Sequence, residues 1–378
     1  MALTSVLSTL LMTNNAYSQD DAAIQFGAGI RTDFIGLNNY DRRKYGLFHG
    51  EADISLSATT EDLNLFSGGE FFVQGMGIYG DKASGNYTGD IQTFSNIESE
   101  NRIFLYQAYY KHSFKKLFIK AGQLDMNADF LVSGYGASLL NSSFGVVPTI
   151  SLNMPVSIFS YLAAGVSFKY IPTERLLFEM AFFDGDPGDF NTNRHNLNWN
   201  FSRKEGIFNI SEVQWKTRSN MKPGKYKAGI FFHSNTHYSG VDSTGRDFGF
   251  FVFGDQVLTS EKNTIRNGLS MFFELSFCPS KVNFIDRYFA AGLIYRGLLK
   301  GMNEDECTLA VSSARLGKSF LMNNTEFLPH ETAIELTYKK YITPAIIIQP
   351  DFQYLINSGA NKSQGNVAAG LIRTIISF

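Results

Sequence analysis

The chain has 378 residues, a formal net charge of −2 and two cysteines. The balanced charge gives no indication of nucleic-acid binding, and two cysteines argue against a disulfide scaffold or a zinc cluster. Charged residues make up 18% of the chain, below the roughly 25% of an ordinary soluble domain, while aromatic residues reach 15%. No apolar run approaches the roughly 20 residues of a membrane helix. The composition therefore indicates a large all-β protein or a membrane barrel.

The N-terminal residues 1–18 look like an export signal. They contain an apolar stretch and end on Ala16-Tyr17-Ser18, which suits a cleavage site. The first basic residue is Arg31, so the positively charged start of such signals is missing. A frayed leader or a wrongly assigned start codon would also explain this pattern. We expect an export signal over 1–18 and a single barrel domain over 19–378.

The rest of the chain alternates apolar and polar residues at period two, which indicates β-strands. In 330–341, for example, one face carries Thr, Ile, Leu and Tyr, and the opposite face carries Glu331, Glu335 and Lys339. Strands of about 10–14 residues suit a tilted membrane crossing. Sixteen segments are predicted, near 23–35, 46–58, 65–80, 100–113, 116–125, 163–171, 175–184, 207–217, 224–235, 247–258, 268–278, 286–299, 305–316, 330–341, 344–357 and 365–378.

The connections between these segments differ in length on the two sides. Short ones on one side are 114–116, 171–175 and 342–344, and long ones on the other side are 81–99, 126–162 and 184–206. Short turns at one rim and long loops at the other are typical of outer-membrane barrels. We therefore predict an all-β fold: a 16-stranded antiparallel transmembrane β-barrel in the bacterial outer membrane, with both termini in the periplasm.

Aromatic residues support this assignment. On the face predicted to meet lipid, strand ends on the periplasmic side carry Tyr170, Trp215, Tyr226, Tyr295, Tyr338 and Phe378. Rings at this depth form a girdle between hydrocarbon and headgroups, although chance is an alternative in a chain so rich in aromatics. The terminal Phe378 resembles the signal read by the barrel assembly machinery, with Arg373 where a glycine is usual.

Sixteen strands enclose an aqueous lumen, and we expect the inward face to be polar in most strands. Charged residues predicted to face inward are Arg31, Asp33, Glu51, Asp53, Lys111, Lys120, Glu212, Lys227, Asp255, Glu274, Arg296, Glu331, Glu335, Lys339, Asp351 and Arg373.

The loop at 126–162 is too long and too apolar for a surface loop. We expect it to fold inward and constrict the pore, with an outward flap as the alternative. Deleting 137–150 should then raise the conductance.

Several segments resemble the carbohydrate-selective porins of the OprB family, over most of the chain. FIKAGQLDMNADFLVSGYG is similar to the family's segment entering the constriction, and FVFGDQVL matches a recurring Asp-Gln strand at Asp255 and Gln256. ETAIELTYKKYITPAIIIQPDFQYLINSG is similar to the C-terminal signature. The family's polar pattern there is matched by Glu331, Glu335, Gln349, Pro350, Asp351 and Gln353. The resemblance implies passive diffusion of sugars across an outer membrane.

Sugar recognition needs planar hydrogen-bonding groups and aromatic faces, and it must be weak enough to let the solute leave. The predicted channel-lining residues are Arg296, Arg373, Glu331, Glu335, Lys339, Gln349, Asp351, Gln353, Asp255 and Glu274, with Phe130 and Tyr135 as stacking rings on the loop. For each polar group, a structural ion pair in the lumen is the alternative.

The expected partners are small carbohydrates, outer-membrane lipid and lipopolysaccharide, and the barrel assembly machinery. We expect no nucleic acid, no cofactor and no metal, and both a monomer and a homotrimer stay open.

A general diffusion porin, an outer-membrane enzyme and an adhesin are the competing hypotheses. An enzyme is disfavoured because Ser133 lacks the glycine pattern of a nucleophile elbow. His233 and His237 have metal-like spacing only on a helix, and at a strand end solvated histidines are expected. Cys278 and Cys307 are predicted to lie at opposite rims, beyond the roughly 7 Å between Cα atoms that a disulfide allows.

Overall fold

The computed structural model describes residues 23–39, 41, 43–218, 222–235, 247–260, 267–299 and 304–378. The predicted export signal at 1–18 lies outside the described residues. The strands are β1 (Gln25–Asn38), β2 (Lys44–Thr59), β3 (Gly69–Gly80), β4 (Arg102–Phe114), β5 (Leu117–Leu124), β6 (Ala163–Thr173), β7 (Leu176–Asp184), β8 (Ile207–Lys216), β9 (Gly224–His233), β10 (Asp247–Val257), β11 (Gly268–Phe277), β12 (Ile285–Arg296), β13 (Glu306–Leu316), β14 (His330–Thr343), β15 (Ile346–Ile356) and β16 (Val367–Ser377).

Each strand pairs antiparallel with its neighbours in sequence, and β16 pairs with β1, so the sheet is a closed barrel. The prediction of sixteen strands is confirmed. Closure leaves the sheet without edges. A barrel in lipid needs this, because unpaired backbone groups at an edge would find no water to bind.

The two-residue alternation places one face of each strand outward. In β16, Ile372 is exposed on the outer face while Arg373 is buried on the inner face. The predicted girdle rings Tyr170, Trp215 and Phe378 are exposed on the outer face as well. The period of the sequence therefore identified the correct face of these strands.

The connections define two different rims. Turns at 115–116, 174–175 and 344–345 lie at one end, which we call the turn rim. The long connections L2 (81–101), L3 (125–162) and L4 (185–206) lie at the opposite end, the loop rim.

The helical segments are all short, and among the described residues none is long and apolar enough to cross a membrane. Cys278 follows β11 at the loop rim, Cys307 lies in β13 near the turn rim, and both are free thiols.

The loop-rim half of the barrel interior is packed with apolar side chains. Large rings point inward from β7 to β12 and are buried, among them Phe183, Phe208, Phe231, Phe251, Phe272 and Tyr288. L3 packs onto them with Leu131, Phe144, Val147 and Ile150. Burying each such side chain contributes about 1.5–3 kcal/mol. The expectation of a polar inner face is therefore wrong for β7 to β12 near the loop rim, where an apolar core binds L3, whereas Glu331 of β14 faces inward at the same rim as predicted.

L4 completes the wall where β5 is short. Because β5 ends at Leu124, the edge of β4 near the loop rim has no strand partner on that side. The amide of Leu105 instead donates to the carbonyl of His195 in L4 at 3.1 Å, and Nδ1 of His195 lies 2.7 Å from the carbonyl oxygen of Ile103. The buried guanidinium of Arg102 donates to another L4 carbonyl at 3.0 Å. L4 thus covers an edge that would otherwise be unpaired.

Candidate functional site

L3 crosses the lumen and is held there by carboxylates of the wall. Glu335 accepts hydrogen bonds from the backbone amides of Leu140 and Asn141, at 2.6 and 3.1 Å. Asp255 accepts one from Ser133 Oγ at 2.6 Å and one from the next amide at 2.8 Å. A buried amide that loses its acceptor costs about 1–3 kcal/mol. L3 therefore folds inward, as its length and composition predict, and is fixed at several points.

Glu335→Ala removes the acceptor of two L3 amides. We expect the free energy of unfolding to fall by at least about 1–3 kcal/mol, the cost of leaving one buried hydrogen-bonding group without its partner. Urea unfolding of the protein in liposomes measures this change. Glu326→Ala is the matched control, because Glu326 is exposed in the connection between β13 and β14. Equal unfolding midpoints for both variants would contradict the anchoring role of Glu335.

L2 also folds into the barrel, which the sequence analysis missed. Arg373 donates to both carboxylate oxygens of Asp33 at 2.7 Å and, from the same guanidinium, to Ser95 and Asn96 of L2 at 2.9 and 2.7 Å. Glu331 accepts two L2 amides at 3.0 and 2.8 Å. The length of this loop was visible in the sequence, but its composition did not distinguish it from an outward loop.

Most of the predicted lining residues face inward but lie beneath these loops. Residues with at most 7% of their surface exposed are Glu331, Glu335, Gln349, Asp351, Gln353, Asp255, Glu274 and Arg373, together with Phe130 of L3. Several bond to loop carbonyls, as Gln349 does to Ser138 at 2.7 Å and Gln353 to Phe94 at 2.8 Å. Glu331, Glu335, Asp255 and Arg373 also bind L2 or L3, and contact of any of these residues with a solute stays a prediction. Arg296, Lys339 and Tyr135 are partly exposed.

Near the turn rim the inner wall stays accessible and mixes cations with aromatic rings. Tyr109 stacks on Phe72 with ring centroids 5.0 Å apart, and the ammonium of Lys120 lies 5.0 Å from the Tyr109 ring. Lys120 also binds Asp129 of L3 at 2.7 Å, and Lys169 lies 3.8 Å from the same carboxylate. Burial alone would raise the pKa of Asp129, but these two ammonium groups hold it below its ordinary value. This set of side chains offers charged hydrogen-bonding groups beside an aromatic face.

Of the two histidines His233 and His237, the structure describes only the first. His233 is buried at the end of β9, with Nε2 2.8 Å from the carbonyl oxygen of Gly185, and is therefore not the solvated residue that we expected. His237 lies outside the described residues. Among the residues that the structure describes, no group of three or more His, Cys, Asp or Glu side chains is arranged to hold a metal ion.

A closed barrel of sixteen antiparallel strands, with its longest loop folded into the lumen, defines the porin class of bacterial outer-membrane proteins. The chain belongs to the carbohydrate-selective porin, OprB family, whose family model matches residues 48–378. It is therefore an outer-membrane β-barrel, and its fold and family are those of a channel rather than of an enzyme.

Individual relatives agree with this assignment. The high-pH structure of Pseudomonas putida OprB superimposes with a TM-score of 0.86 over 94% of each chain, at 16% sequence identity. The outer membrane channel DcaP of Acinetobacter baumannii gives a TM-score of 0.57, with 10% identity over 94% of this chain and 97% of that chain. Porin B of Pseudomonas aeruginosa is 23% identical over 263 residues, which span 60% of this chain and 57% of that protein. The match thus covers less than two thirds of this curated relative.

Proposed function

We propose that the chain forms a water-filled channel through which small carbohydrates diffuse passively. The observation that carries the proposal is the accessible inner surface near the turn rim. Lys111, Lys169 and Arg296 point into the barrel and still keep about a third of their side-chain surface exposed. Water therefore reaches this depth of the lumen, and L2 and L3 narrow the lumen towards the loop rim.

The accessible surface suits a ring rich in hydroxyl groups. The ammonium and carboxylate of the Lys120–Asp129 pair can donate to and accept from hydroxyls, and the half-buried Tyr109 presents a ring to the apolar side of a sugar. Each contact is exposed to water and therefore weak, as conduction requires.

The orientation follows from the rims, since short turns face the periplasm in outer-membrane barrels. We propose that the termini lie in the periplasm and that the outer belt contacts lipid and lipopolysaccharide. Phe378 is exposed at the end of β16, where the assembly machinery can reach it. The export signal at 1–18 and the single barrel domain over 19–378 stay predictions.

Swelling of proteoliposomes tests the sugar preference. Glucose should enter faster than mannitol, because mannitol is also rich in hydroxyls but has no ring face to stack. Tyr109→Leu should reduce this difference while the KCl conductance stays within about twofold, since no charge is removed. Tyr79→Leu is the matched control, because Tyr79 is exposed on the outer face of β3. Equal rates for glucose and mannitol in the unmodified protein would indicate a general diffusion porin instead.

A further inference from the structure

L4 exposes large apolar side chains near the loop rim. Leu197, Trp199 and Phe201 alternate with asparagines, and 68%, 51% and 70% of their surfaces are exposed. Water is an unfavourable neighbour for three such side chains within five residues, because each leaves its apolar surface unburied. An apolar patch of this kind marks a contact surface with a protein or a membrane.

The contacts of L4 place this segment against the lipid-facing wall. Gln123 points to the outer face of β5, because the next residue, Leu124, points inward into the apolar core. Trp199 Nε1 donates to Gln123 Oε1 at 2.7 Å, so the indole lies over the outer surface. The buried amide of Gln123 also donates to the carbonyls of Leu105 and Tyr106, at 2.8 and 2.9 Å. L4 therefore covers a polar group of the outer wall and presents its own apolar residues at that depth.

Cations lie beside these apolar residues. The segment 193–204 contains Arg194, Arg203 and Lys204, which are all exposed, and it contains no Asp or Glu. Arg203 and Lys204 follow Phe201 almost directly in the chain, so charge and apolar surface adjoin. The outer surface of L4 therefore combines both kinds of contact.

The carboxylates of L4 stabilise turns of the loop itself. Asp186 and Asp189 each accept the backbone amide two residues ahead, at 2.9 and 2.8 Å. Glu205 accepts hydrogen bonds from Asn200 Nδ2 and from the amide of Ser202, at 2.5 and 3.1 Å. The charge that 193–204 presents is therefore positive.

We propose that L4 is a docking site for lipopolysaccharide. Leu197, Trp199 and Phe201 lie among the acyl chains, and Arg203 and Lys204 bind the phosphates of lipid A. Tryptophan favours the interface between hydrocarbon and headgroups, and arginine and lysine form charge-assisted hydrogen bonds with phosphate. This inference rests on the proposed function, which places the loop rim at the cell surface, and it gives the lipopolysaccharide contact a defined site.

The depth of Trp199 is the first test. The chain has two tryptophans, so Trp215→Phe leaves Trp199 as the only one. Bromine on the acyl chains of a liposome quenches an indole that lies near those chains. The fluorescence of Trp199 should fall about as far as that of Trp215 in the Trp199→Phe variant, because Trp215 is exposed on the outer face. An unquenched Trp199 would overturn the inference.

The phosphate contact is the second test, measured as lipid A binding to the purified protein in detergent by native mass spectrometry. Arg203→Gln/Lys204→Gln should weaken the binding of lipid A with two phosphates by about tenfold or more, the effect of one hydrogen bond to a charged group. Lipid A without phosphates should bind equally weakly to both proteins. Lys115→Gln/Lys116→Gln is the matched control, because it removes two adjacent exposed cations at the turn rim and should leave the affinity unchanged.

Equal affinities of the L4 double variant and the unmodified protein would contradict the site. Phosphatidylglycerol that binds as tightly as lipid A would also contradict it, since the loop would then accept any anionic lipid. Glucose entry is measured in phospholipid liposomes without lipopolysaccharide, so it tests the proposed function separately. Glucose entry without lipid A binding would overturn only this inference, and lipid A binding without glucose entry would overturn only the proposed sugar channel. Lipid A binding and Trp199 quenching without the L4 double variant decide the question even where that variant folds poorly.

Discussion

Arg373→Ala is expected to destabilise the barrel and to release L2 from the lumen. The guanidinium of Arg373 binds both oxygens of Asp33, which is fully buried, and also holds Ser95 and Asn96 of L2. Removing one partner of a buried ion pair leaves an uncompensated charge and costs about 3–5 kcal/mol. Urea unfolding in liposomes measures this loss, and single-channel recordings should show a larger and noisier conductance as L2 loosens.

The double variant Asp33→Asn/Arg373→Ala separates the buried charge from the lost contacts. Because it removes both charges, it should recover part of the stability that Arg373→Ala loses, and the cycle measures the coupling between the two residues. Arg287→Ala, on the outer face, is the control for the loss of an arginine. If Arg373→Ala keeps full stability and slows only glucose, then Arg373 contacts the sugar, as the sequence analysis predicts.

Phe144→Ala is expected to free L3 from the inner wall. Phe144 is 1% exposed and meets the ring of Phe272 edge-on, with centroids 5.9 Å apart. Truncating a buried phenylalanine costs about 3–5 kcal/mol. Here that loss destabilises the packing of L3 against the inner wall. The strands keep their backbone pairing, so the barrel should still form while single-channel conductance rises.

Phe250→Ala is the control for this substitution, since Phe250 is exposed on the outer face of the barrel. It should leave conductance unchanged. An unchanged conductance for Phe144→Ala as well would mean that the hydrogen bonds to Glu335 and Asp255 fix L3 without help from its apolar contacts. The point substitution is a cleaner test than deleting 137–150, because the deletion would expose several inward rings of the wall to water.

The sequence by itself determined the barrel and the face of each strand. Alternation at period two predicts an inner and an outer face wherever it occurs, and in 365–378 it placed Ile372 outward and Arg373 inward. The lengths of the connections indicated the two rims, and the apolar composition of L3 indicated its inward fold. These signals are local, so one sequence is enough to detect them.

Only the tertiary structure decided which inward groups meet water. Arg296 and Arg373 have the same inward position in their strands, but Arg296 is partly exposed while Arg373 lies under L2. Glu335 likewise became a loop anchor, because it meets amides that lie 195 and 194 residues away in the chain. Period two shows that a side chain points into the barrel, whereas its burial depends on a loop arriving from a distant part of the sequence. The packed interior beneath L3 has the same origin, since inward rings need a second apolar surface to cover them.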